Sequence, residues 1–317
     1  HDTILVKGGP QLNLIMNGGV AGDDATVAAL INILPRLLDA MAAASDAAPG
    51  AARRGARPQM EQLMRVARKA IESSGAASIE DVGGIVESIM NDAPETGAAP
   101  EPSTPLEQAQ ALAYAAMDAK GRYQIVLAGR AIKTSGDCAD AWAILGNRAP
   151  SAAAAVPLYR EAVAAGERAL GSKYFEAEAG HFWGLVETRP YMRARFALAD
   201  ALSSEGAVDE AVTHYRELLR LNPGDNQGVR YTLLRLLIEH DRNADARALL
   251  DQFDVDGGAS WLYASALVAF RLEEKTPDDR LNRALAANRH VPPFLTGEKE
   301  IPEPPALSIL YGPTTIA

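Results

Sequence analysis

Between Tyr191 and Tyr231 apolar residues recur every three or four positions, the period of a helix with one buried face. Two such runs are parted by Gly206 and closed by Pro223. Leu198, Ala199, Gly206, Ala211, Tyr215, Leu218 and Pro223 each suit a task in a helical hairpin. Ala199 and Ala211 stand where two helices cross too closely for anything larger. Gly206 permits the tight turn, and Tyr215 fills the gap toward the next hairpin. Pro223 ends the second helix because it lacks an N–H and clashes with the preceding turn. A hairpin of this kind cannot bury its apolar face alone, so neighbours must supply the rest of the core. The spacing predicts an array of helix–turn–helix units of about 34 residues.

The same alternation extends both ways. LEQAQALAYAAMDA, Gly121 and YQIVLAGRAIKTSGD predict one hairpin after Pro105. Trp142, Leu145 and Gly146 open a second with a W-x-x-L-G start, and Ala155, Tyr159 and Ala162 continue it across a turn about three residues shorter than consensus. Its second helix runs on through EAVAAGERALG, longer than a regular repeat. Ser172 to Pro190 is an aromatic-rich interruption. Gly228–Phe253 and Ala259–Asn288 predict two further hairpins.

Ahead of the array the pattern is less regular. Residues 1–20 read as a hairpin or as a loop packed on a helix, Asp23 or Asp24 caps a helix through about Ala44, and 46–58 is a connector. Leu63, Val66, Ala70 and Ile71 give residues 60–74 a helical face. Ser78 with Asp81 resembles a capping box before DVGGIVESIM. The Pro/Ala/Glu-rich 93–104 reads as a linker. The expected organisation is a mainly helical N-terminal domain (1–92), the linker (93–104), the repeat array (105–295) and an extended capping tail (296–317).

Composition narrows the function classes. Of 317 residues 48% are hydrophobic but only 6% aromatic, which suits close-packed helices rather than a β core. The net charge is −10. Residues 1–104 hold 8 basic and 13 acidic residues and the remainder 23 and 28, so each part carries −5. With no basic arm, nucleic-acid binding is not expected. The single cysteine, Cys138, cannot form an internal disulfide. The longest apolar run, Thr26–Ala44, is broken by Pro35, Arg36 and Asp39, so no membrane span is expected. The expected location is cytoplasmic.

GHFWGLVETRPYMRAR (180–195) followed by HYRELLRLNPGDNQGVRY (214–231) resembles a signature of bacterial tetratricopeptide-repeat proteins and of the suppression-of-tumorigenicity family. The resemblance spans roughly 105–295. It implies an all-α fold, an irregular tetratricopeptide-type helical-hairpin solenoid with a small, mostly helical N-terminal domain. It brings no catalytic residues. The chain departs from the animal relatives in lacking a convincing membrane span, so a membrane role does not transfer.

In such arrays the first helix of each repeat lines a concave groove. Arg193, Phe196, Asp200 and Ser203 are the groove-facing positions of the central repeat, and Tyr231, Arg235 and Glu239 those of the next. Arginine forks onto carboxylates and tyrosine supplies contact area at low entropy cost, although the same residues also suit a solvated helix face. In the interruption, Trp183, Glu187 and Arg189 read either as a ligand pocket or as a plug, with Phe182 and Trp183 buried and Arg189 paired to Glu187 or a helix C-terminus. Asn226 is placed to cap the following helix, and Arg230 has no evident structural duty.

Chemistry is otherwise sparse. The internal histidines at 181, 214, 240 and 290 are isolated from one another, so no metal is expected. Asp137 and Asp140 flank Cys138 and disfavour its thiolate. No phosphate loop is present, and no cofactor is expected. The expected function is non-catalytic: a scaffold or adaptor that takes a protein or peptide segment into the groove. The N-terminal region is then a second contact or an internal occupant of the groove. The alternative is a small-molecule-responsive regulator with its pocket in the interruption 174–191.

Overall fold

In this computed structural model the described residues are 3–8, 12–17, 102–275 and 277–300, together with 61, 64, 65, 67, 68, 71 and 74. The expected helix to Ala44, the 46–58 connector, the Ser78–Asp81 capping box, residues 93–101 of the linker and the tail beyond 300 lie outside them. The protein is all-α in its array, built of tetratricopeptide-like helical hairpins. Two strands at the start, β1 (Thr3–Gly8) and β2 (Leu12–Asn17), pair antiparallel with Thr3 opposite Asn17. The chain divides into two compact units, His1–Asn226 and Gln227–Ala317, so the division falls inside the stretch expected to be one array.

In the first unit, α1 (Pro105–Asp118) begins at a reciprocal cap. The Thr104 hydroxyl accepts the Glu107 N–H, and the Glu107 carboxylate accepts that of Thr104. Together with α2 (Gly121–Thr134) and α3 (Ala139–Gly146) it encloses a core of small residues. Ala109, Ala113, Ala116, Ala128, Ala131 and Ala141 let the helices approach closely, and Leu127 and Ile144 fill the remainder. Gly146, the last residue of α3, lies under the ring of Tyr159 on α4 (Ala152–Leu170), which occupies the place of a side chain. A Cβ there would lie 2.4 Å from the ring. At 19 residues α4 is long, as its sequence indicates.

A short helix α5 (Ser172–Ala177) and two 3₁₀ turns, Phe182–Gly184 and Val186–Thr188, fill the interruption. The central hairpin follows as α6 (Arg189–Ser204) and α7 (Val208–Leu221). Ala199, Ala211, Tyr215 and Leu218 are fully buried, and Gly206 adopts φ 77°, which an L side chain resists. The helix ends two residues before Pro223.

Helical residues at 61, 64, 65, 67, 68, 71 and 74 belong to this unit. Glu61, Met64, Ala67 and Ile71 are buried, so the stripe recurs every three or four residues with a carboxylate at its head. Of the four positions expected to form that face, Leu63, Val66 and Ala70 lie outside the described residues and Ile71 is buried.

The second unit comprises α8 (Val229–Glu239), α9 (Asn243–Gln252), α10 (Ala259–Arg271), α11 (Pro277–Ala287) and α12 (Pro292–Leu295). Leu233, Leu236, Leu237, Leu250, Val268 and Ala269 form its buried set. Phe294, near the end of the stretch expected to be array, sits in the last helical turn.

Candidate partner-binding face

Four elements of the first unit bring polar side chains to one point. Gln110 and Tyr114 come from α1, Asp140 from the first turn of α3, Arg193 from α6 and Glu61 from the 61–74 segment. Arg193 is doubly forked. Its Nε and Nη2 donate to Asp140 at 3.0 and 2.7 Å, and its Nη1 and Nη2 donate to Glu61 at 2.6 and 3.1 Å. The Tyr114 hydroxyl donates to Glu61 at 2.9 Å, and Gln110 donates to Asp140 at 2.6 Å. Arg189 approaches Glu61 at 3.9 Å. Two carboxylates thus face two guanidinium groups, which is how buried charges are tolerated.

The electrostatics follow from this pairing. Burial acts against the Arg193 charge, but Asp140 and Glu61 outweigh it and hold the guanidinium more firmly protonated than usual. Burial pushes the Tyr114 phenol far above its ordinary value, so it remains a donor. Cys138, the N-cap residue of α3, is buried. Burial, with Asp140 behind it, pushes its thiol up to about 12. Its Sγ–H donates to Gln110 Oε1 at 3.7 Å, and its surroundings disfavour the thiolate.

The rim of this face is wetter. Arg68 pairs with Glu187 at 2.8 Å, both side chains about one-third exposed, and Arg65 lies over the Tyr114 ring at 5.9 Å. Arg189 donates to the Trp183 carbonyl at 3.2 Å and covers the Trp183 ring at 5.2 Å. Arg189, expected to pair with a helix C-terminus or with Glu187, is held here by a stacked ring and a backbone carbonyl, while Glu187 pairs with Arg68. Phe182 is fully buried against Tyr174, Phe175 and Tyr191, with ring centroids 5.0 to 6.3 Å apart. The aromatics of the interruption pack on one another and on α6.

Farther along α6, Asp200 is exposed and accepts the Tyr215 hydroxyl. Phe196 meets the Tyr215 ring edge-on at 5.8 Å.

The second unit holds its own arginine site. Arg230 donates to Asp256 at 2.9 Å and lies over Tyr231, Phe253 and Trp261 at 4.5, 5.3 and 6.0 Å. The Tyr231 hydroxyl and the Gly258 N–H also donate to Asp256, at 2.6 and 2.9 Å. Burial alone would raise the Asp256 pKa, but these donors and Arg230 bring it below its ordinary value. Arg230, expected to lack a structural duty, joins the first turn of α8 to the chain before α10. Arg235 makes an exposed pair with Glu239 at 3.0 Å. Asn226 does not cap α8. The N-cap is Gly228 in a left-handed conformation (φ 71°).

The sequence-predicted residues thus fall into separate places. Arg189 and Arg193 meet at Glu61, with Trp183 and Glu187 beside them; Arg230 and Tyr231 meet at Asp256; Asp200, Asn226 and Arg235 belong to neither cluster. Glu61, Gln110, Tyr114 and Asp140 were missed. A signal existed for two of them: Glu61 and Gln110 are polar residues at apolar positions of a helical stripe. Asp140 reads in sequence as an ordinary first-turn acid. Among the described residues no group of histidine, cysteine and acidic side chains could hold a metal ion, and no helix is long and apolar enough to cross a membrane.

Comparison with known proteins adds one match. The tetratricopeptide repeat family is recognised over residues 191–258, which covers the central hairpin and α8 and α9. No curated protein matches the chain. Tetratricopeptide repeats typically mediate protein–protein interaction and are typically non-catalytic. The specific likeness to the suppression-of-tumorigenicity family has no counterpart in these findings.

Proposed function

We propose that this protein is a non-catalytic interaction module whose repeat array takes up a segment of a protein partner on the face formed by the first helices of its hairpins. One observation carries the reading. Side chains from the first helices of three successive hairpins form one polar network: Tyr114 on α1 and Arg193 on α6 both reach the Glu61 carboxylate, supplied from elsewhere in sequence, and Asp140 on α3 holds Arg193. Side chains from different repeats that meet at one group from another segment are what segment recognition by a repeat array requires. The ligand-pocket alternative is the weaker one, because the aromatic side chains of the interruption are packed against each other and α6.

Photo-crosslinking in cells of the source organism tests this. A photoreactive residue replaces Asp200 on α6 or, as a control, the exposed Thr213 on α7. A covalent adduct with another protein at Asp200 and not at Thr213 supports the reading. Equal labelling at both positions, or none at Asp200, counts against it.

A further inference from the structure

We propose that residues 61–74 act as an exchangeable internal ligand of the repeat face, and that the partner is an amphipathic helix of the same chemistry. That chemistry is a carboxylate at position i, an apolar side chain at i+3, a small one at i+6 and an apolar one at i+10, as in Glu61, Met64, Ala67 and Ile71. The inference rests on the partner-binding reading above and adds both the occupant and its competitor.

Three features support exchange rather than permanent residence. First, the segment is gripped like a ligand. Among the described residues a buried apolar stripe, Met64, Ala67 and Ile71, is headed by the Glu61 carboxylate, which Arg193 forks bidentately and to which Tyr114 donates. Second, the rim is polar and wet. The Arg68–Glu187 pair is about one-third exposed and Arg193 itself 30% exposed, the anatomy of an interface around a dry centre rather than of a core. Third, the helices that receive it already share a core of their own. Ala109, Ala113 and Ala116 on α1 pack with Ala128, Ala131 and Ile144 of α2 and α3. The receiving face also brings its own counter-charge, because Asp140 stays paired with Arg193 and Gln110 whichever helix supplies the other carboxylate.

Carried on the same chain, the segment acts at an effective concentration on the order of millimolar. A partner helix of equal intrinsic affinity cannot displace it at cellular concentrations. A tighter partner, or a change that weakens the internal copy, opens the face. The device sets a threshold for partner capture.

The test uses the full-length chain and a fluorescein-labelled synthetic peptide of residues 58–76. Fluorescence anisotropy reads its binding to the wild type, to Glu61→Gln and to Glu61→Ala, with circular dichroism to check that each chain is folded. Weakening the internal copy should raise the apparent affinity of the wild-type peptide at least about 10-fold, since a buried, forked carboxylate contributes that much or more. The same peptide with Glu61→Gln should bind the variants at least about 10-fold more weakly than the unaltered peptide. Adding Arg193→Ala to the Glu61→Gln chain should abolish the gain. Equal binding to wild type and variants, or no binding to any, overturns the proposal. So does cooperative unfolding of both variants, because residues 61–74 would then be a fixed part of the core. Crosslinks at Asp200 with no peptide exchange would leave the partner-binding face in place and remove only its internal ligand.

Discussion

Arg193 and Arg230 occupy comparable places, each in the first two turns of the first helix of a hairpin and each held by a carboxylate, buried for Asp140 and half-buried for Asp256. Their surroundings differ. Arg193 collects Asp140 from 53 residues away and Glu61 from 132 residues away, so it links segments that share no local structure. Arg230 takes Asp256 from 26 residues away and rests on three rings of its own neighbourhood. The first arginine is a junction made almost wholly of charge and hydrogen bonds. The second is a local clasp in which apolar area shares the load. The difference shows how an arginine near the start of a repeat helix can join distant segments in one place and brace local hairpin geometry in another.

The comparison can be broken most forcefully at Asp140. Replacing it with Ala removes the carboxylate that Gln110 donates to and one of the two that Arg193 donates to, and should cost about 3–5 kcal/mol, read as a shift in the urea midpoint. Asp140→Asn keeps the shape and some of the bonds and should cost less, about 1–3 kcal/mol. If both are neutral, the network is not a junction. Ala211→Leu tests the hairpin beneath Arg193. Its site at the α6–α7 crossing is fully closed, so overpacking should cost about 1–3 kcal/mol.

Arg230→Ala should cost less than Asp140→Ala, about 1–2 kcal/mol, because Asp256 keeps the Tyr231 hydroxyl and the Gly258 N–H. The rings that lose their cation should also report a changed Trp261 emission. The same clasp predicts an acid response. The folded pKa of Asp256 lies below its ordinary value, so in acid the unfolded chain binds protons more readily. The contribution is complete above the ordinary carboxylate range and is lost as pH falls through the folded pKa. Acid titration of unfolding should therefore be steeper for wild type than for Asp256→Asn. Arg235→Ala, which opens only an exposed i,i+4 pair, should change stability by about 0.3–0.5 kcal/mol and leave the fold intact.

How much of this was legible depended on the range over which the interactions act. The central hairpin was readable because Ala199, Gly206, Ala211, Tyr215 and Pro223 meet constraints set within one unit of about 34 residues. The long α4 was readable for the same reason, whereas of the face expected in 60–74 only Ile71 falls on a described, buried position. The roles of individual charges were not. Asn226 looked like a cap, but the N-cap position falls to Gly228 in a left-handed backbone conformation. Arg230 looked free and is clasped by Asp256 from beyond α9.

The sequence by itself determined the all-α repeat architecture and the hairpin punctuation of the array. Periodicity, small residues at crossings and turn glycines act locally, and the chain carries them in order. Only the tertiary structure decided that Glu61 meets Arg193, that Asp140 lies between Gln110 and Arg193, and that the aromatics of the interruption fill their own space. Ion pairs impose no period on a sequence. Any acid along the chain could in principle have paired with Arg193, and the packing of α1, α3 and α6 selects Glu61 and Asp140.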